Sequence, residues 1–219
     1  MRKGLAVSAA CLSALTLTAG MAPAASASLK ADPPPPGRIT LQVNTVNGSG
    51  CPAGTAAVAA SSDNTAFTVT YSDYLAQTGG SSKPTDFRKN CQLSLGVHIP
   101  QGFTYAIASA DYRGFASLAD GASGLERANY YHQGMQQSTP VSHTVRGKYS
   151  DNWQFTDRTP VAELVWKPCG EERNFNINTE LRVDKGTSSP DETSFMSFDS
   201  TDGSVKTVYH FAWKKCPGH

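Results

Sequence analysis

The chain has 219 residues, 39% of them hydrophobic, with 19 Lys and Arg against 18 Asp and Glu. That length suffices for one domain with a real core. The near-neutral charge, spread without blocks of one sign, excludes the basic face that nucleic acid or an anionic membrane surface demands.

The N-terminal residues read as a secretory signal. Arg2 and Lys3 supply the positive start, Leu5 to Leu17 a short apolar run, and Ala25-Ser26-Ala27 the small residues of a cleavage site. The run is too short and too interrupted by Ser and Thr to span a bilayer. We therefore expect a signal peptide over residues 1–27, with Cys11 discarded in it. The mature chain is expected to be secreted and extracellular, with no membrane attachment after cleavage. Removing Arg2 and Lys3 leaves 17 basic residues against 18 acidic ones. Residues 28–37 hold Pro33 to Pro36, four residues with no backbone donor and an extended preference, and read as a proline-rich spacer. A single domain is expected over residues 38–219.

From there the dominant signal is alternation with period two, bounded by Gly, Pro, Asn and Asp. Ile39, Leu41 and Val43 open it; Phe67, Val69 and Tyr71 follow, then Cys91, Leu93, Leu95, Val97 and Ile99. Phe175, Ile177, Leu181 and Val183 form a fourth strand opposite Asn174, Asn176, Glu180 and Arg182. Val205, Tyr209, Phe211 and Trp213 form a fifth. Weaker patterns predict strands at 103–110, 128–133, 141–146, 152–156, 161–167 and 194–198. A helical turn is allowed only over 115–127, and Asp202-Gly203 reads as a hairpin turn. One buried and one wet face per strand, about ten times over, predicts an all-β fold: a two-sheet antiparallel sandwich or jelly roll.

Four cysteines survive processing: Cys51, Cys91, Cys169 and Cys216. An even count in an exported chain reads as two disulfides, with three possible connectivities. Cys51–Cys91 with Cys169–Cys216 is the favoured set, because each pair then lies within one half of the domain. Trp166-Lys167-Pro168-Cys169 and Trp213-Lys214-Lys215-Cys216 are also similar strand endings. No Cys-x-x-Cys exists, so neither a metal nor a cofactor is expected.

Several segments in order carry a resemblance. They are Gly50-Cys51-Pro52-Ala53-Gly54-Thr55, Asp63, the strand Phe67 to Tyr71, and Arg88-Lys89-Asn90-Cys91. Pro100-Gln101-Gly102, Tyr112-Arg113-Gly114 and Trp166-Lys167-Pro168-Cys169-Gly170 complete the set. Together, from about Thr45 to Cys216, they resemble the secreted family known as domain of unknown function 4360. The resemblance implies a small exported protein of bacterial or fungal type with paired cysteines. It carries over no catalytic residue, since the family has no assigned activity.

Enzyme signatures are missing: no Gly-x-Ser-x-Gly elbow, no His-Glu-x-x-His helix and no phosphate-binding glycine loop. Five histidines (98, 132, 143, 210 and 219) read as exposed single residues, and Asp199 to Gly203 as a turn rather than a calcium loop. The leading expectation is a non-catalytic domain that binds a surface, a polysaccharide or a protein, with a cell-surface glycan or protein as partner. Its candidate contacts are Tyr112, Arg113, Tyr131 and Trp153, since exposed aromatic rings stack on sugars or anchor peptides. Trp166 and Trp213 are expected in the core. Two alternatives stay open. A polysaccharide hydrolase would need paired carboxylates, with Glu163 and Glu180 the candidates. A protease inhibitor would need a rigid loop, for which only Gly79 to Cys91 offers itself.

Overall fold

A computed structural model describes residues 31–198 and 206–218. The expected signal peptide, the turn around Asp202-Gly203 and His219 lie outside them. In chain order the strands are β1 (Thr40–Asn47), β2 (Ala56–Ala60), β3 (Ala66–Tyr71), β4 (Leu75–Thr78), β5 (Arg88–His98) and β6 (Phe103–Leu118). They continue with β7 (Ser123–His132), β8 (Val141–Arg146), β9 (Tyr149–Arg158), β10 (Phe175–Asp184), β11 (Ser194–Ser197) and β12 (Thr207–Lys215). A 3-10 turn spans Val161–Glu163.

The strands build two antiparallel sheets, as the alternation predicts. One has five strands in the order β1-β5-β10-β7-β8. In the other, β6 is the axis: β9 pairs along one edge, while β12 pairs its first half and β11 its second half along the other. β3 and β2 extend this sheet beyond β12, and β4 beyond β11. Most connections cross from one sheet to the other, so the inner faces are sewn together along their length. The core between them holds Phe67, Tyr74, Tyr105, Tyr112, Tyr209, Phe175, Phe198 and Trp213, all under 3% exposed. Phe67 stacks on Tyr209 at 4.9 Å and meets Phe175 edge-on at 6.1 Å. Both disulfides form the favoured pairs, Cys51–Cys91 and Cys169–Cys216.

Two local expectations are corrected, and two unexpected strands are added. The segment 115–127 has no helical turn: β6 runs on to Leu118, the chain reverses through Gly121 at φ 84°, and β7 begins at Ser123. The alternation of Tyr112, Gly114, Ala116 and Leu118 is hidden in the sequence because two of these four residues are small. The stretch 161–167 is not a strand. Between Pro160 and Pro168, which lack ladder donors, it makes the 3-10 turn, and Lys167 N then donates to Tyr105 O at 3.0 Å. β2 escaped notice because Ala-Ala-Val-Ala-Ala has no polar contrast, and β4 because it is four residues long.

Trp213 is in the core as expected, and its indole donates to the carbonyl of Asn64 at 2.9 Å. Trp166 is only half-buried, with the Lys214 ammonium 5.6 Å from its ring centroid. Asn64, at φ 57°, also gathers the segment before β1. Its side chain donates to the carbonyls of Pro35 and Gly37 and accepts from Ile39 N at 3.3 Å. Asp32 forms a β-bridge with Trp213, so the proline segment lies against the domain.

Candidate functional site

The four sequence-chosen contacts do not come together. Tyr112 is inaccessible to solvent and Trp153 is 3% exposed. Both point between the sheets, where Trp153 stacks on Phe155 at 5.4 Å and Tyr112 lies at right angles to Tyr209. As ligand contacts they are therefore corrected: inward phase on a strand commits a large ring to the core, where covering it releases the most water. Arg113, one residue from Tyr112, falls on the opposite, outer face of its sheet and is exposed. Asp111, two residues before it, bonds His210 at 2.8 Å and accepts from Thr156 at 2.5 Å. Tyr131 is different. It is half-buried on the outer face of the five-stranded sheet and lines a groove there.

Register assembles that face in rows, because directly paired residues of neighbouring strands point the same way. One row runs Thr45, Ser94, Asn176, Tyr131 across β1, β5, β10 and β7. The next runs Asn47, Gln92, Asn178, Asn129. Apart from Asn129, these two rows line a groove of about 470 Å³. A third row runs Asn90, Glu180, Arg127, and a fourth holds Arg88 and Arg182. A second groove of about 290 Å³ continues over Asn90, Glu180, Arg127 and Arg88, sharing Gln92 and Asn178 with the first, and Gln137 and Pro140 form its wall. From Asn176 to Arg182 the track along β10 covers roughly 20 Å at ~3.4 Å per residue.

The polar groups of the first two rows are open for bonding. Among the described residues, the side chains of Asn47, Gln92, Asn176 and Asn178 and the hydroxyl of Tyr131 have no hydrogen-bond partner. Neighbouring amides are engaged instead in shaping the walls: Asn44 donates to Asn174 at 2.9 Å, Asn129 donates to Gln137 at 3.1 Å, and Ser49 donates to Asn90 at 3.1 Å. Each free carboxamide carries two donors and an acceptor with two lone pairs, at no net charge.

The sequence candidates Glu180 and Glu163 lie on different elements. Glu180 sits on the outer face of β10; Arg88 bonds one of its oxygens and Arg182 the other at 3.1 Å. The hydrogen bond from Arg88, outweighing partial burial, holds its carboxyl below the usual range. Glu163 ends the exposed 3-10 turn. The carboxyl that is raised is Glu126, on the inward face of β7, which sequence reasoning passed over. It is 0% exposed, without a hydrogen-bond partner, and pushed well up by burial and then by Asp157. His132, expected to be exposed, is also buried. It packs between Tyr105 and Phe175, and burial lowers its pKa to about 4. His143 and His210 are each paired with an aspartate. Among the described residues no three His, Cys, Asp or Glu side chains are placed to hold a metal ion.

The family described as a domain of unknown function, DUF4360, matches residues 37–216. The chain belongs to that family. A relative from Arthroderma benhamiae, described as an uncharacterized secreted protein, is 33% identical over 183 residues, spanning 84% of this chain and 74% of its own. This DUF4360 member is accordingly a secreted, disulfide-bonded β-sandwich. Among the described residues no helix is long and apolar enough to cross a membrane. A chain of the cowpea mosaic virus top component aligns over 82% of this chain and 87% of its own, at 10% identity and a TM-score of 0.24. So slight a likeness carries no weight.

Proposed function

We propose that this secreted DUF4360 protein is a non-catalytic polysaccharide-binding domain, and that its binding face is the outer surface of the five-stranded sheet. One observation carries the proposal: the partner-free carboxamides of Asn47, Gln92, Asn176 and Asn178, set in two rows beside the half-buried ring of Tyr131. A sugar hydroxyl both donates and accepts, and so does a carboxamide, so the two match without either giving up a charge to desolvation. A phenol ring adds an apolar body with a polar tip, suited to the C–H face of a pyranose. The open groove along β10 suits a chain rather than a single sugar. Each hydrogen bond exchanged with water nets only about 0.5–1.5 kcal/mol. Affinity therefore has to come from several units held at once.

The test is retention of oxidised mature protein on a panel of polysaccharides, read by affinity electrophoresis and calorimetry. Tyr131→Ala and Asn178→Ala should each weaken retention about tenfold, near 1.4 kcal/mol, without lowering the melting temperature, since both side chains face solvent. Wild-type retention by both variants, or no retention of the parent on any glycan, would overturn it.

A further inference from the structure

The groove is neutral at one end and cationic at the other, which names the ligand class more narrowly. We propose that the polysaccharide is acidic and that Arg127 reads a uronate carboxylate on it; this rests on the polysaccharide-binding reading above. In the third and fourth rows the face carries three guanidinium groups, Arg88, Arg127 and Arg182, against the single carboxylate of Glu180; Asp184 and Arg146 follow as one charge of each sign in the row beyond. Both oxygens of Glu180 are taken by Arg88 and Arg182. Although Arg127 is the direct cross-strand neighbour of Glu180, among the described residues it makes no ion pair. Its side chain is exposed and lines the second groove beside Gln137 and Pro140.

The surplus is local. The mature chain is almost neutral, so this end does not merely share in a basic surface. Glu180 leaves two positive charges uncompensated in its row and the next. A planar guanidinium with five donors pairs with a planar carboxylate through two parallel hydrogen bonds, a geometry an ammonium cannot copy. A chain lying along β10 would place neutral hydroxyls over Gln92 and Asn178 and a carboxylate over Arg127. A solvated arginine with no ligand is the competing account, and it predicts no chemical selectivity.

Polygalacturonate, its fully methyl-esterified form and dextran sulfate serve as probes at about 0.15 M salt, where exposed charges farther apart than ~8 Å are largely screened. The expected result is binding of polygalacturonate about tenfold or more tighter than the ester, and tighter than dextran sulfate. Arg127→Gln should abolish that preference, lowering polygalacturonate binding to the level of the ester. Arg127→Lys should restore it only in part, and Tyr131→Ala should weaken both ligands alike. Equal binding of acid and ester, a preference that survives Arg127→Gln, or dextran sulfate bound as tightly as polygalacturonate would overturn the uronate assignment and leave the polysaccharide reading standing. No binding of these probes or of any other glycan would overturn both.

Discussion

Glu126 is fully buried, with His143 its cross-strand neighbour on β8, and the charge of Asp157 adds to the effect of burial. Burial there favours the neutral acid. Below its ordinary value near 4.5 the carboxyl is protonated in both folded and unfolded chains and costs nothing extra through ionisation. As pH rises, the unfolded chain releases this proton while the folded one keeps it, so stability falls until the raised folded value is passed. Glu126→Gln should remove that slope. We expect a gain of about 1–3 kcal/mol near pH 8 and little change at pH 4, read by calorimetry across pH. A gain that shrinks with rising pH would contradict this. None of it is legible from Glu-Arg-Ala-Asn, where a strand glutamate reads as solvated. Of the aromatic candidates, Tyr131 lies on an outer face while Tyr112 and Trp153 lie in the core, because residue type alone does not separate a stacking platform from a core ring.

At the scale of strands, β6 and β9 depend on a close approach. Gly114 pairs with Trp153, and a Cβ there would stand 1.9 Å from the Ser197 carbonyl and 2.5 Å from the indole. Gly114→Ala should therefore cost about 2–3 kcal/mol through overpacking. The urea midpoint should drop with its slope unchanged, since the same surface is exposed on unfolding. This gives the Tyr-Arg-Gly motif a structural meaning: tyrosine to the core, arginine to solvent, glycine under the tryptophan. The edge strands also meet across the sandwich. His143 on β8 bonds Asp157 on β9 at 2.7 Å and stacks on Phe155 at 4.4 Å, linking the two sheets. Strands with strong alternation, such as β5 and β10, were visible beforehand within a few residues. β2, lacking polar contrast, was not.

Across the whole molecule, two disulfides hold what most of the burial builds. Cys51–Cys91 ties the approach to β2 onto β5, and Cys169–Cys216 ties the loop before β10 to the end of β12. Their separations of 40 and 47 residues correspond to about 4 kcal/mol each in the chain-entropy model. Replacing Cys169 and Cys216 together by Ser should lower stability by about 2–4 kcal/mol, seen as an earlier denaturant midpoint. Peptide mapping without reductant should recover both pairs, and free thiols in the secreted protein would contradict the arrangement.

Period two, an even cysteine count and the missing helix pattern were enough to determine a disulfide-stapled β-sandwich, because each is a local property of the chain. Alternation also showed that Gln92, Asn176 and Arg182 face away from the core. It could not show that Gln92 lies beside Asn178, Asn176 beside Tyr131, or Arg127 beside Glu180. Those neighbours come from strands far apart in sequence, brought side by side only by register. The tertiary structure alone decided that the wet face of one sheet is a graded groove and that Glu126 lies beneath it in the dry interior. Pairing between distant strands is a property of the closed sheet, and a single strand carries no record of its partners.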